Sequence, residues 1–134
     1  MERRIKTCVV AAVLACVCLL ASCNKYVSHY SALGLVRTNT ARSAYMSFHS
    51  LEGVVSFKLK CKKDSEKRMK YSASLESGNV TVFYEASGTR TELFALGAGE
   101  EVSSYLDELE PGTIYVIVET DEPCQKGAFH FDME

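Results

Sequence analysis

An all-β domain follows from three observations on this sequence: an antiparallel β-sandwich or jelly-roll-like fold of seven to eight strands. From Ser43 onward, apolar residues recur at every second position. Turn signals (Ser77-Gly78-Asn79, Ser87-Gly88, Gly97, Gly99, Pro111-Gly112) break the chain at close intervals. β-Branched and aromatic residues collect between those breaks. Period-two alternation marks half-buried antiparallel strands, and many short strands with regular turns mark a sandwich.

The elements follow in order. Ala44, Met46 and Phe48 alternate with Tyr45, Ser47 and His49. Val55, Phe57, Leu59 and Cys61 point one way, and Ser56, Lys58, Lys60 and Lys62 the other. Lys63-Asp64-Ser65-Glu66 is a polar turn. Met69, Tyr71, Ala73 and Leu75 then alternate with Lys70, Ser72, Ser74 and Glu76. Val80 to Tyr84 and Thr91 to Ala95 read as strands. Val102, Tyr105, Leu106 and Leu109 fit either a strand or a short helix. Thr113 to Glu119 is the strongest strand, Asp121 to Gly127 reads as a loop, and Phe129 with Phe131 marks the last strand. Asn24 to Arg42 holds neither period. It reads as a tether with local apolar contacts through Tyr26, Tyr30, Leu33, Leu35 and Val36.

The N-terminus has a different character. Arg3, Arg4 and Lys6 precede a charge-free stretch from Thr7 to Cys23, 17 residues long. That is short of the roughly 20 residues of a membrane-spanning helix. A basic start and a short apolar stretch ending in small residues match a secretory signal. The run Leu20-Ala21-Ser22-Cys23 resembles the lipobox of bacterial lipoprotein precursors. The resemblance implies diacylglycerol on Cys23 and removal of residues 1–22. The organisation expected is a signal-peptide helix over 1–22, a lipidated tether over 23–42 and a β-sandwich domain over 43–134. The closing pattern, Leu109-Glu110-Pro111-Gly112, a strand, a loop and Gly127-Ala128-Phe129-His130-Phe131, is similar to the end of small secreted β-sandwich modules, among them those attached to bacterial peptidases. That likeness implies a fold and no active site.

Charge divides the mature chain. From Cys23 to Lys70 ten basic residues face three acids, and from Tyr71 onward two face thirteen. Lys58, Lys60 and Lys62 share a strand face, and Lys70 is expected on the same face of the neighbouring strand. These four form a candidate patch for an anionic surface, with a solvated outer face as the plain alternative. Net acidity and the export signal argue against nucleic acid as a partner.

No catalytic constellation stands out. His29, His49 and His130 are scattered, with no metal-ligand spacing and no visible Ser/His/Asp grouping. If the strand between them runs straight, Asp107, Glu108 and Glu110 lie about 25 Å from Asp121 and Glu122, and the two clusters share no cation unless another loop contributes. No cofactor or metal is expected. Cys61 and Cys124 are a candidate disulfide, with a buried free thiol as the alternative. Tryptophan is absent, leaving Tyr45, Tyr84, Tyr105 and Tyr115 as the sugar-stacking side chains. A concave patch of exposed tyrosine would point to ligand binding, and a flat apolar patch to a protein partner. The expectation is a lipid-anchored, non-catalytic binding or accessory module at the bacterial cell envelope. Its partners would be the membrane through Cys23 and an envelope protein or anionic polymer. The alternative is an accessory subunit or inhibitor of a secreted or envelope enzyme.

Overall fold

The computed structural model describes residues 28–134. The expected signal segment 1–22 and the expected lipidation site Cys23 therefore lie outside the described residues. Eight strands follow one another: β1 (His29–Leu33), β2 (Val36–Asn39), β3 (Ser43–Cys61), β4 (Met69–Ser77), β5 (Val80–Ala86), β6 (Thr89–Leu96), β7 (Glu101–Leu106) and β8 (Gly112–Met133). Every pairing is antiparallel. The segment that also fitted a helix is a strand, β7.

β3 and β8 pair along their whole length, from Ser43 opposite Asp132 to Cys61 opposite Gly112. Midway the ladder is interrupted: Leu51 faces Cys124, but Gly53 faces Thr120. Glu52 therefore spans Asp121, Glu122 and Pro123, a bulge that bends the pair. Pro123 falls at this point, where its missing N–H breaks no ladder. Asp121 to Gly127 is thus not the loop that its polar composition indicated, but the bent middle of one strand. The inward phase also changes here. On β3 it passes from Ala44, Met46 and Phe48 to Leu51, Val55, Phe57 and Leu59. On β8 it passes from Ile114, Val116 and Val118 to Phe129, Phe131 and Met133, near Lys126 at φ 48°.

The bend folds one sheet into two layers. In the first, β2, the start of β3, the end of β8, β4 and β7 lie in that order. In the second, β1, the end of β3, the start of β8, β5 and β6 lie in that order. The core is what the inner faces share. Phe94 of β6 stacks on Tyr71 of β4 at 5.3 Å, and Phe57 lies 6.3 Å from Phe131. Burying each such ring contributes roughly 1.5–3 kcal/mol, so these contacts hold the layers together.

Two glycines belong to this geometry. Gly53 sits at the bend with φ 121°, and a Cβ there would lie 2.4 Å from the carbonyl oxygen of His29. At Gly127 a Cβ would lie 2.4 Å from the Phe48 ring, which fills the inner position instead.

Residues 29–39, within the segment read as a tether, are edge strands. β1 and β2 run along β3 in one unbroken register, His29 opposite Val54 and Asn39 opposite Ala44, with a gap at Gly34 and Leu35. Beyond β1 the edge of β3 would be bare, and side chains cover it. The Ser56 N–H donates to Ser28 Oγ at 2.9 Å, and Arg37 donates to the Ser56 carbonyl at 2.8 Å. The Asn39 side-chain amide takes both groups of Lys58, accepting from its N–H at 2.9 Å and donating to its carbonyl at 2.8 Å. The Lys60 N–H donates to the Ala41 carbonyl, and Arg42 donates to the Lys60 carbonyl. Asn39 thus stands in for one residue of a missing strand.

Replacing Asn39 by Asp keeps the acceptor and loses the donor. Asn39→Asp and Asn39→Ala should each lower stability by about 1–2 kcal/mol, read from urea unfolding midpoints. Gly53→Ala combines backbone strain with a clash against a neighbouring strand and should cost about 2–4 kcal/mol.

Candidate functional site

The outer face of the first layer gathers more chemistry than any other described surface. Register places its outward residues in rows across the strands. One row is Tyr45, His130, Ser72, Ser103. On one side of it runs Ser47, Ala128, Ser74, Glu101, and on the other Ser43, Asp132, Lys70, Tyr105. Over β4 and β7 the central positions are serines, while β3 and β8 carry Tyr45 and His130. Short side chains beside tall ones leave a hollow. It is an open groove of about 630 Å³ lined by Tyr45, Ser72, Ser74, Glu101, Ser103, Ala128 and His130. A second hollow of about 320 Å³ continues it past Ser72, Ser103 and His130 to Lys70 and Asp132.

The rim is held by local contacts. Tyr45, 36% exposed, meets His130 edge-on at 6.0 Å. His130 Nε2 lies 3.0 Å from Asp132 Oδ2. Tyr105, 46% exposed, has the Arg68 guanidinium over its ring at 4.4 Å. Arg68 in turn donates from Nε and Nη2 to Glu134 Oε2, at 3.0 and 2.6 Å. That hydrogen bond raises the pKa of Arg68 further. Tyr105 is thereby packed against a cation that is itself fixed.

Ser72, His130 and Asp132 meet on this face, a grouping hidden in the sequence because they come from two strands. No hydrogen bond joins Ser72 to His130, and the His130 and Asp132 side chains are 47% and 41% exposed. Among the described residues no cluster of three His, Cys, Asp or Glu side chains could hold a metal ion.

The lysines do not form one patch. β3 pairs with β8 rather than with β4, so Lys58 and Lys60 stand opposite Tyr115 and Thr113 on the outer face of the second layer. Lys70 stands opposite Asp132 and Tyr105 on the outer face of the first. Lys62 lies beyond the end of β3. The neighbour expected for this strand was the wrong one, because local order does not reveal a long-range pairing. Around Lys58, the second layer already pairs its own charges: Arg90 bonds Glu119 and covers the Phe83 ring at 4.1 Å.

The candidate disulfide is also absent. Cys61 and Cys124 are both free and buried. Cys61 ends β3, whereas Cys124 faces Leu51 at the bend, ten residues or about 33 Å away along the strand. A disulfide needs Cα atoms within about 7 Å. Cys124 Sγ donates to the Asn79 carbonyl at 3.1 Å and packs beneath the Gly78 turn.

No protein-family model and no curated protein sequence matches this chain. Similar solved structures are small β-sandwich modules. The pre-peptidase C-terminal domain of a Bacillus anthracis collagenase is 15% identical, with 71% of this chain and 90% of that one covered at a TM-score of 0.47. A periplasmic inhibitor of g-type lysozyme from Aeromonas hydrophila is 13% identical, with 70% and 88% covered at 0.45. A carbohydrate binding module of family 29 is 14% identical, with 79% and 77% covered at 0.41. Likeness at this level carries no argument about ligand or activity. The all-β architecture stands on the strand pairing itself.

Reduction should leave the intact mass of the folded protein unchanged at Cys61 and Cys124, and both should alkylate rapidly only after denaturation. Burial raises the Cys124 pKa above the ordinary thiol value. The folded state therefore holds that proton more tightly than the unfolded chain. Its contribution to stability is fully present below the unfolded thiol's pKa and declines as pH rises past it. Unfolding midpoints measured from neutral to alkaline pH check the sign.

Proposed function

We propose that this protein is a lipid-anchored, non-catalytic binding module at the bacterial cell envelope, with the outer face of the first layer as its ligand surface. The observation that carries the reading is the groove, whose serine floor lies between exposed Tyr45 and the Lys70 and Asp132 end, with Tyr105 opposite Lys70 on the neighbouring strand. A concave surface with a few convergent polar groups is the usual form of a ligand site. Ser72 and His130 are not hydrogen-bonded, so no nucleophile–base contact favours hydrolysis over binding.

The anchor fits this arrangement. Diacylglycerol on Cys23 supplies at least two acyl chains, each buried CH₂ adding about 0.8 kcal/mol. Cys23 stands five residues before Ser28, a reach of at most about 18 Å. Ser28 is bonded to Ser56 at the edge of the second layer, so the lipid attaches beside that layer. The groove lies on the outer face of the other layer and stays open.

The second reading, an accessory subunit or inhibitor of an envelope enzyme, draws on β7. Among the described residues β7 pairs only with β4. Its far edge, beside the groove, can accept a strand from a partner.

Metabolic labelling with a tagged palmitate should mark the wild-type protein, and Cys23→Ala should abolish the label and leave an unprocessed precursor. An unlabelled native protein would overturn the anchor. A photo-crosslinking residue at Ser74 should capture an envelope component, and capture of a protein alone would favour the second reading. Ser72→Ala removes one hydroxyl of the groove floor and should weaken binding without abolishing it. A hydrolytic activity lost in that variant would overturn the non-catalytic role.

A further inference from the structure

We infer that the groove takes an uncharged polysaccharide chain, lying across the strands between Tyr45 and Tyr105. This rests on the reading of that face as the ligand surface and names what it would hold.

The floor carries the argument. Among the described residues no group hydrogen-bonds the hydroxyls of Ser72, Ser74 or Ser103. Each of these hydroxyls can both donate and accept, which matches the hydroxyls of a sugar. Charge excludes the competing ligands. The groove sets Lys70 against Asp132 and adds Glu101, so it offers no positive field to a polyanion. A protein hot spot would need an apolar centre, and here the centre is serine.

The two tyrosines set the dimensions. Both are exposed and both present a face that is apolar in its body and polar at its tip. They stand on β3 and β7, three inter-strand spacings apart, about 14 Å across the sheet. That span exceeds a single sugar ring, so it favours a chain over a monosaccharide. The groove is open to solvent, which suits binding along a polymer rather than at its end. Arg68, fixed by Glu134, holds the Tyr105 ring before any ligand arrives and reduces the ordering cost of binding.

The test is affinity electrophoresis of the full-length protein, purified with its anchor in detergent. The gels contain hydroxyethyl cellulose, xylan, galactomannan or dextran, with polygalacturonate as the acidic contrast. At least one neutral polymer should retard the protein, and added salt should leave the retardation in place. Tyr45→Ala and Tyr105→Ala should each weaken it by about tenfold, while the doubly substituted Lys58→Gln, Lys60→Gln protein should bind as wild type. Retardation by none of the neutral polymers would overturn the inference. So would retardation by polygalacturonate alone and lost in salt, or retardation unchanged in both tyrosine variants. Thermal unfolding of each variant, expected to match wild type, separates a lost contact from a lost fold. The palmitate label and the Ser74 crosslink report separately on the anchor and on the ligand surface. A crosslinked protein partner would therefore sink the polysaccharide and favour the accessory-subunit reading, whereas a crosslinked non-protein component with no retardation would sink the polysaccharide alone.

Discussion

The full-length pairing of β3 with β8 is the constraint on which the rest of the molecule depends. Each layer has these two strands at its centre, and every other strand attaches to one of them or to a strand that does. Because both bend at the same place, the inner faces meet as one core rather than two. The bend needs Gly53, which no side chain could replace without meeting β1, and a bulge over Asp121, Glu122 and Pro123. Local irregularity in the ladder is thus what makes the regular parts pack.

The groove is a by-product of the same arrangement. Its rows are defined by β8 lying between β3 and β4, which aligns Tyr45 with His130 and Ser72. A shift of one residue in either pairing would turn those side chains inward and expose Phe129 or Tyr71. Core and groove face are therefore two sides of one register. The buried rings that fix the layers also fix the spacing of the serines above them.

Strand content was legible in the sequence wherever one face met the core and the other met water, as in Met69 to Glu76. Three features were not. The change of inward phase between Phe48 and Leu51 makes β3 look like two strands, since alternation is a local signal and a bend resets it. The polar run Asp121 to Gly127 resembles a loop because a bulge and a loop draw on the same residues. Residues 29–39 show no period because an edge strand is only partly covered, and Arg37 and Asn39 face the edge of β3 where apolar side chains would have marked a core. The site was hidden for a further reason. Ser72, Ser74 and Ser103 are unremarkable outward serines until β8 brings His130 beside them, and the lysines looked like a patch only while β4 was taken as the neighbour of β3.

The order in which the strands are made has a kinetic consequence. β8 is the last of the eight, yet it closes both layers, and its partners on β3 are 51 to 89 residues earlier in the chain. Contacts this distant form slowly, because the loop between them must close before either end gains anything. Until β8 has been synthesised, β4 and β5 have no strand to join them to β3. An incomplete chain therefore holds only separate partial pairings, β1 and β2 on β3, β4 with β7 and β5 with β6, with no strand to unite them.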